Sequence, residues 1–192
     1  MEERITTLNL PLQISEMKKF LVFAAVSILS FFVPFSLGHP QWLVGTVVNA
    51  CLFLEAGFLP KKYFLPLAVL PSLGVLARGL VFGPFTYFLV YFLPFIWLGN
   101  LILILVFRLS SKLTVVNFDD KGFIFAVILA AFAKFLFLFL IANIYFKFSI
   151  VPALFLNSMG LNQLATALAG GTVSLLIFKL YGQHISRSRQ VD

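Results

Sequence analysis

The chain has 192 residues, of which 61% are hydrophobic and 11% are charged, and its mean hydropathy is +1.04. A soluble domain carries about 25% charged residues because its surface must face water, so this composition excludes an ordinary soluble protein. The net charge of +7 does not indicate a nucleic-acid partner, because the cations lie in short segments between apolar runs and form no basic stripe.

Long apolar runs follow one another along the chain, separated by proline, glycine and charged residues. Each run has about the 20 residues that a helix needs to cross a bilayer. The final run, 151–181, is too long for one straight span, and we predict a break at Asn157-Ser158-Met159-Gly160. The sequence therefore predicts six spanning helices, at 19–37, 42–59, 63–82, 85–107, 122–146 and about 161–181.

These spans define one domain with two short flanking segments. Residues 18–182 are predicted to form a six-helix transmembrane bundle, so the expected fold class is an all-α integral membrane protein. Residues 1–17 mix polar and apolar side chains; a segment lying on the inner membrane surface and a disordered cytoplasmic tail both fit them. Residues 183–192 are predicted to form a cytoplasmic tail.

The loop charges predict the orientation of the bundle. Positively charged residues are retained on the cytoplasmic side of a membrane protein. One set of loops and termini holds eleven Lys and Arg residues, whereas the opposite loops hold Lys147. Both termini are therefore expected in the cytoplasm of a multi-pass protein of the cell (inner) membrane. The eleven cations are Arg4, Lys18, Lys19, Lys61, Lys62, Arg108, Lys112, Lys121, Lys179, Arg187 and Arg189.

Several polar residues fall inside the predicted spans, where each needs a partner. With ~1.5 Å of rise per residue, the depths place Arg78 and Lys134 at or beyond the midplane on the outer side, together with several amides. Glu55 and Asn100 fall in the inner half. One interpretation is a bound anion that neutralises Arg78 and Lys134. Two alternatives stay open: Glu55 reaches one of the cations, or Arg78 extends to the headgroups while the amides bridge helices.

The anion interpretation defines a candidate substrate-binding site on the extracytoplasmic side. No paired intramembrane carboxylates, histidine cluster, Gly-Lys phosphate loop or Ser-His-Asp set is found in the sequence. We therefore expect no enzyme activity, no metal and no cofactor. The predicted substrate-binding residues are Arg78, Lys134, Asn49, Asn143, Asn157, Asn162 and Gln163.

Small residues at four-residue spacing indicate faces where helices approach closely. We expect these faces to pack within the bundle; a flat docking surface for another membrane protein is the alternative. They comprise Ala126 and Ala130 with Lys134 in the fifth span, and the pairs Ala165–Ala169, Thr166–Gly170 and Ala167–Gly171 in the sixth.

Four local strings of the chain are distinctive when taken together. They are Val48-Asn49-Ala50, Leu70-Pro71-Ser72-Leu73, Pro94-Phe95-Ile96-Trp97-Leu98-Gly99-Asn100 and Asn162-Gln163-Leu164-Ala165-Thr166-Ala167-Leu168-Ala169-Gly170-Gly171. These strings resemble those of a family of small bacterial six-span proteins, the substrate-binding S components of energy-coupling factor (ECF) transporters, and the resemblance covers roughly residues 20–180. Some relatives carry the label "iron hydrogenase", but the single cysteine, Cys51, cannot ligate an iron–sulfur cluster.

This resemblance implies a bundle that captures a vitamin-like nutrient from outside and then topples against a transmembrane coupling protein driven by two ATPases. Known S components often dock through Ala-x-x-x-Ala in the first helix, a motif that Ala24-Ala25-Val26-Ser27-Ile28-Leu29 does not contain. The leading expectation is a membrane subunit for uptake of a small, anionic nutrient. The alternative is a structural or assembly protein of a cell-envelope complex, which would bind no small molecule.

Overall fold

The computed structural model describes residues 15–37, 39–82, 86–113 and 120–188, with side chains for 15–37, 39–79, 88–111 and 121–181. These residues form helices and connecting turns, and they include no strand. The α-helices are α1 (Glu16–Ser36), α2 (Gln41–Phe58), α3 (Phe64–Phe82), α4 (Thr86–Leu113), α5 (Asp120–Lys147), α6 (Leu154–Ser158) and α7 (Leu161–Ser188), and a 3-10 turn at Lys61–Tyr63 leads into α3.

Five of the described helices, α1, α2, α4, α5 and α7, are long and apolar enough to cross a membrane. Each carries large apolar side chains that face outward, such as Phe32, Leu105 and Leu176, which are about half exposed. A surface with large apolar side chains along every one of these helices is favourable in contact with lipid and unfavourable in water. The prediction of an all-α, multi-pass membrane protein is thereby confirmed.

The last break is confirmed, since α6 ends at Ser158 and α7 begins at Leu161. The predicted ends of two helices were too early: α4 continues beyond residue 107 to Leu113, and α7 continues through residues assigned to the tail as far as Ser188. The physical reason is that hydropathy marks the membrane-crossing part of a helix, whereas backbone hydrogen bonding continues into polar turns. Most of the N-terminal segment 1–17 and residues 189–192 lie outside the described residues.

Successive long helices run antiparallel, as contacts at both ends of the bundle show. We call the end that holds the start of α1 and the end of α7 the proximal end, and the other the distal end. At the proximal end, Phe23 near the start of α1 lies against Tyr63, just after the end of α2, with 4.7 Å between ring centroids. At the distal end, the Tyr145 hydroxyl of α5 donates to the Tyr91 carbonyl of α4.

The helix α2 lies at the centre of the bundle and packs against α1, α3, α4 and α7. Its second half, 49–58, is buried along almost every face. The proximal half of the bundle is filled by an apolar core that includes Phe53, Phe107 and Phe178. A smaller apolar cluster around Phe92 and Phe155 fills the distal space between α4, α5 and α6.

Close approach of α7 to its neighbours depends on small residues. A Cβ atom added at Gly170 would lie 2.7 Å from the Ala50 backbone nitrogen of α2, and one added at Gly171 would collide with Val127 of α5. The predicted packing of the Thr166–Gly170 and Ala167–Gly171 pairs within the bundle is confirmed. Ala165 and Ala169, by contrast, are exposed. The face of α5 that holds Ala126, Ala130 and Lys134 is buried, as predicted.

Candidate functional site: a polar cavity at the distal half

A cavity of about 180 Å³ lies between the distal halves of the long helices. Its walls come from the end of α1, the first half of α2, the second half of α3, the first half of α4, the middle of α5 and the α6–α7 break. Apolar residues such as Val48 and Ile96 form most of the surface. The polar residues that line it are Gln41, Asn49, Ser72, Asn100, Lys134, Ser158, Asn162, Gln163 and Thr166.

Lys134 is the charged residue at this cavity. Its side chain is 3% exposed, and its Nζ donates a hydrogen bond of 2.8 Å to Oδ1 of Asn49. The lysine reaches the cavity because it continues the buried small-residue face of α5, one turn beyond Ala130. The partner is a neutral amide, and no carboxylate in the described part of the chain is paired with the ammonium.

The carboxamide of Asn49 is fixed from three sides. Its Nδ2 donates to the Gly45 carbonyl at 2.9 Å and to the Thr166 hydroxyl at 3.2 Å. The Thr166 hydroxyl donates in turn to the Asn162 carbonyl at 2.7 Å. One amide hydrogen thus bonds within α2 and the other bonds to α7, and the amide oxygen accepts the hydrogen bond from Lys134. This network holds the Asn49 carboxamide, and with it the Lys134 ammonium, in one orientation.

Several hydrogen-bond donors at the cavity remain available. An ammonium has three N–H donors, and contacts with the described residues account for one of them. The carboxamides of Asn162 and Gln163 make no hydrogen bond to any described side chain or backbone group and line the same space. A small anion at this point would meet one positive charge and several amide donors.

Asn100 and Ser72 are cavity residues that the sequence reasoning did not assign to the site. Asn100 Nδ2 donates to the Ala68 carbonyl at 2.8 Å, and the Ser72 hydroxyl accepts from the Trp97 indole. Both tie α3 to α4 on the wall opposite α7. Their strings were noted for the family resemblance, but nothing in the sequence alone indicated that these two helices adjoin the lysine.

Arg78 is not among the residues that line this cavity. Its guanidinium donates to the Phe35 carbonyl at 3.1 Å and to the Ser36 carbonyl at 2.9 Å, at the end of α1. The last carbonyls of a helix have no partner within the helix, and a cation there is favourable. Arg108 acts similarly on α2, donating to the Leu59 carbonyl at 2.9 Å. The contacts of Arg78 are those of a helix cap.

Two predicted amides are also not among the residues that line the cavity. Asn143 Nδ2 donates to the Phe139 carbonyl one turn earlier in α5, and Asn157 is exposed near the distal end of α6. Of the seven residues predicted for the site, the structure brings together Lys134, Asn49, Asn162 and Gln163. The other three are Arg78, Asn143 and Asn157.

Glu55 does not pair with Lys134. Its side chain is 0% exposed, and neither carboxyl oxygen has a hydrogen-bond partner among the described residues. It lies six residues after Asn49 on α2, towards the proximal end, and it is not a cavity residue. Among the described residues, no group of three His, Cys, Asp or Glu side chains is placed to hold a metal ion.

The helices and the cavity together define a multi-pass α-helical membrane protein with a polar, lysine-containing cavity inside its bundle. Comparison with protein-family models, curated proteins and solved structures found no match for this chain. Conclusions about its function therefore depend on the geometry of the cavity.

Proposed function

We propose that this protein is a membrane substrate-binding subunit that takes up a small anionic nutrient through the distal cavity. The observation that carries the proposal is the placement of Lys134. An ammonium buried in a membrane bundle is costly unless it is neutralised, and its hydrogen-bond partner is the neutral Asn49. Cations at membrane depth typically mark the path or site of a substrate. A ligand carboxylate or phosphate would supply the missing negative charge.

The cavity size limits the ligand. Pockets for drug-sized molecules enclose roughly 300–1,000 Å³, whereas this cavity encloses about 180 Å³. The ligand is therefore a compact molecule, with its anionic group at Lys134 and polar atoms near Asn162 and Gln163. The apolar walls formed by Val48 and Ile96 favour a hydrocarbon part beside the anion.

We further propose six spans with both termini in the cytoplasm of the cell membrane. The helix α3, 19 residues long, is the sixth span beside the five assigned above. Cations gather at the proximal end, which the positive-inside rule assigns to the cytoplasm; they include Lys18, Lys61 and Lys121. The distal cavity would then open to the outside. Trp42, 65% exposed at the distal start of α2, fits a membrane interface.

The resemblance to ECF-type S components agrees with this function and adds a partner. In that scheme a coupling protein in the membrane, driven by two ATPases, returns the loaded bundle to the cytoplasmic side. Capture of the ligand is a separate step and requires only this chain. The two parts of the proposal are therefore testable separately.

Calorimetric titration of the purified protein tests ligand capture. Compact carboxylates and organic phosphates are compared with neutral amide analogues of the same shape. We expect an anion to bind and its neutral analogue to bind at least tenfold more weakly, because a hydrogen bond to a charged group contributes about 1.5–3 kcal/mol. Lys134→Met should weaken anion binding about 10- to 150-fold.

The matched control is Lys147→Met, which removes an exposed lysine from the same helix. This variant should bind as the parent does. Equal affinity for an anion and its neutral analogue, or full affinity in Lys134→Met, would refute the anion site. Co-purification of envelope proteins without any bound small molecule would favour the structural alternative.

A further inference from the structure

A second concave surface, separate from the cavity, lies at the proximal end between α1 and α7. This groove encloses about 310 Å³. Its floor is formed by Leu54 and Phe58 of α2, and Ile177 of α7 forms part of one wall. One face of α1 forms the other wall, with Leu21, Val22, Ala25, Val26 and Leu29.

The groove has a charge at one end. Lys18 lies at its mouth, where the Lys18 ammonium stands 6.0 Å from the ring centroid of Tyr181. Lys18 is exposed and has no carboxylate partner among the described residues, whereas the adjacent Lys19 forms an ion pair with Glu16 at 2.6 Å. An apolar groove with one cation at its mouth is complementary to a molecule that has a hydrocarbon chain and an anionic head.

The length of the groove favours a lipid chain over a partner helix. From Lys18 to Leu29 the α1 wall rises about 16 Å at ~1.5 Å per residue. One leaflet of the hydrocarbon core is about 15 Å thick, half of ~30 Å. A spanning helix from another protein would need a contact surface across both leaflets. The lining instead ends near the middle of α1, with Leu29.

We propose that this groove binds one acyl chain of an anionic phospholipid, with the lipid phosphate on Lys18. The chain lies along the face of α1 that runs from Leu21 to Leu29 and over Phe58. The phosphate takes the position of the counter-ion of Lys18, beside the polar end of Tyr181. This site depends on the position of the proximal end at a membrane surface and is independent of the nutrient proposed for the distal cavity.

Native mass spectrometry of the full chain tests the site. The protein is released from micelles that contain equal amounts of phosphatidylglycerol and phosphatidylcholine with identical acyl chains. We expect one phosphatidylglycerol to be retained in preference to phosphatidylcholine. Lys18→Gln should lower that preference about fivefold, the effect of one lysine near anionic lipid. Lys61→Gln, which removes an exposed proximal lysine outside the groove, should leave it unchanged.

A groove-filling variant tests the acyl-chain half of the proposal. Ala25 is exposed and lines the groove, so Ala25→Phe fills it without disturbing the core and should abolish retention of both lipids. Equal retention of the two lipids by the parent, or full preference in Lys18→Gln, would overturn the proposal. A co-purifying membrane polypeptide that Ala25→Phe displaces, with no lipid adduct in the parent, would also overturn it and identify a helix as the occupant.

Discussion

The contact between α2 and α7 forms one wall of the cavity, and substitution of Gly170 tests it quantitatively. In Gly170→Ala the new Cβ would lie 2.7 Å from the Ala50 nitrogen and 2.8 Å from the Thr46 carbonyl oxygen. Both atoms belong to the backbone, so no side-chain rotation relieves the overlap. The helix α7 must retreat by about 0.7 Å to reach an ordinary contact of 3.4 Å.

The cost of this retreat follows from the structure. Overpacking a tight contact costs about 1–3 kcal/mol. The bond from Asn49 to Thr166, now 3.2 Å, would lengthen to about 3.9 Å, which is outside hydrogen-bonding range, at a loss of about 0.6 kcal/mol. The higher helix propensity of alanine relative to glycine offsets about 1 kcal/mol of this loss. We expect a net destabilisation between about 0.5 and 2.5 kcal/mol.

The assay is unfolding in mixed micelles with increasing SDS, followed by circular dichroism. Gly171→Ala serves as the matched comparison, because its Cβ meets the side chain of Val127 rather than backbone. Val127→Ala should therefore restore stability to Gly171→Ala and leave Gly170→Ala destabilised. If Gly170→Ala were instead more stable than the parent, by the amount that helix propensity alone predicts, the close approach of α2 and α7 would be refuted.

Three further substitutions test individual contacts. Asn49→Leu should destabilise the protein by about 3 kcal/mol, because the buried ammonium of Lys134 loses its hydrogen-bond partner. The double variant Asn49→Leu, Lys134→Met should recover most of that loss. Equal losses in the single and double variants would contradict the pairing. Glu55→Gln should melt no lower than the parent, because the amide has nearly the shape of the buried carboxyl group, whose oxygens have no hydrogen-bond partner among the described residues. A large loss of stability would reveal that the carboxyl group is required. Arg78→Gln should lower the free energy of unfolding by about 1–3 kcal/mol without changing ligand affinity in calorimetry; a tenfold loss of affinity would restore Arg78 to the site.

The sequence predicted the positions of the long helices well, because the interruptions between them follow from covalent rules. Proline and glycine interrupt helices, and long apolar runs in lipid can only be helices. The break between α6 and α7 was located at Asn157–Gly160 for that reason, and the structure places it there. The small-residue pairs also predicted the closeness of α7 to the bundle, since Gly170 and Gly171 leave space that a Cβ would occupy.

The arrangement of helices around the cavity was harder to predict. In a membrane both the lipid-facing and the core-facing sides of a helix are apolar, so the sequence gives little indication of rotation or of which helices are neighbours. The depth estimate placed Lys134 near the midplane of the membrane but could not show that it contacts Asn49 of α2. Arg78 was grouped with it by depth alone, although its side chain caps α1.

Residues with modest polarity were missed for the same reason. Thr166 was noted for its small size, and its role in fixing the Asn49 amide required knowledge that α2 and α7 are in contact. Asn100 fell in the predicted inner half and was set aside, yet it lines the cavity from α4. The estimated depth gives the position of a residue along the membrane normal. To assign a residue to a binding site, one must also know in which direction around the helix axis its side chain points.

The central proposition is that an anionic small molecule neutralises Lys134 inside the cavity. The most direct measurement is mass spectrometry of small molecules released from gently purified parent protein and from Lys134→Met. We expect one compact carboxylate or phosphate, stoichiometric with the parent and absent from Lys134→Met, whereas Lys147→Met should retain it. Retention of the same molecule by Lys134→Met, or of a neutral molecule by the parent, would contradict it.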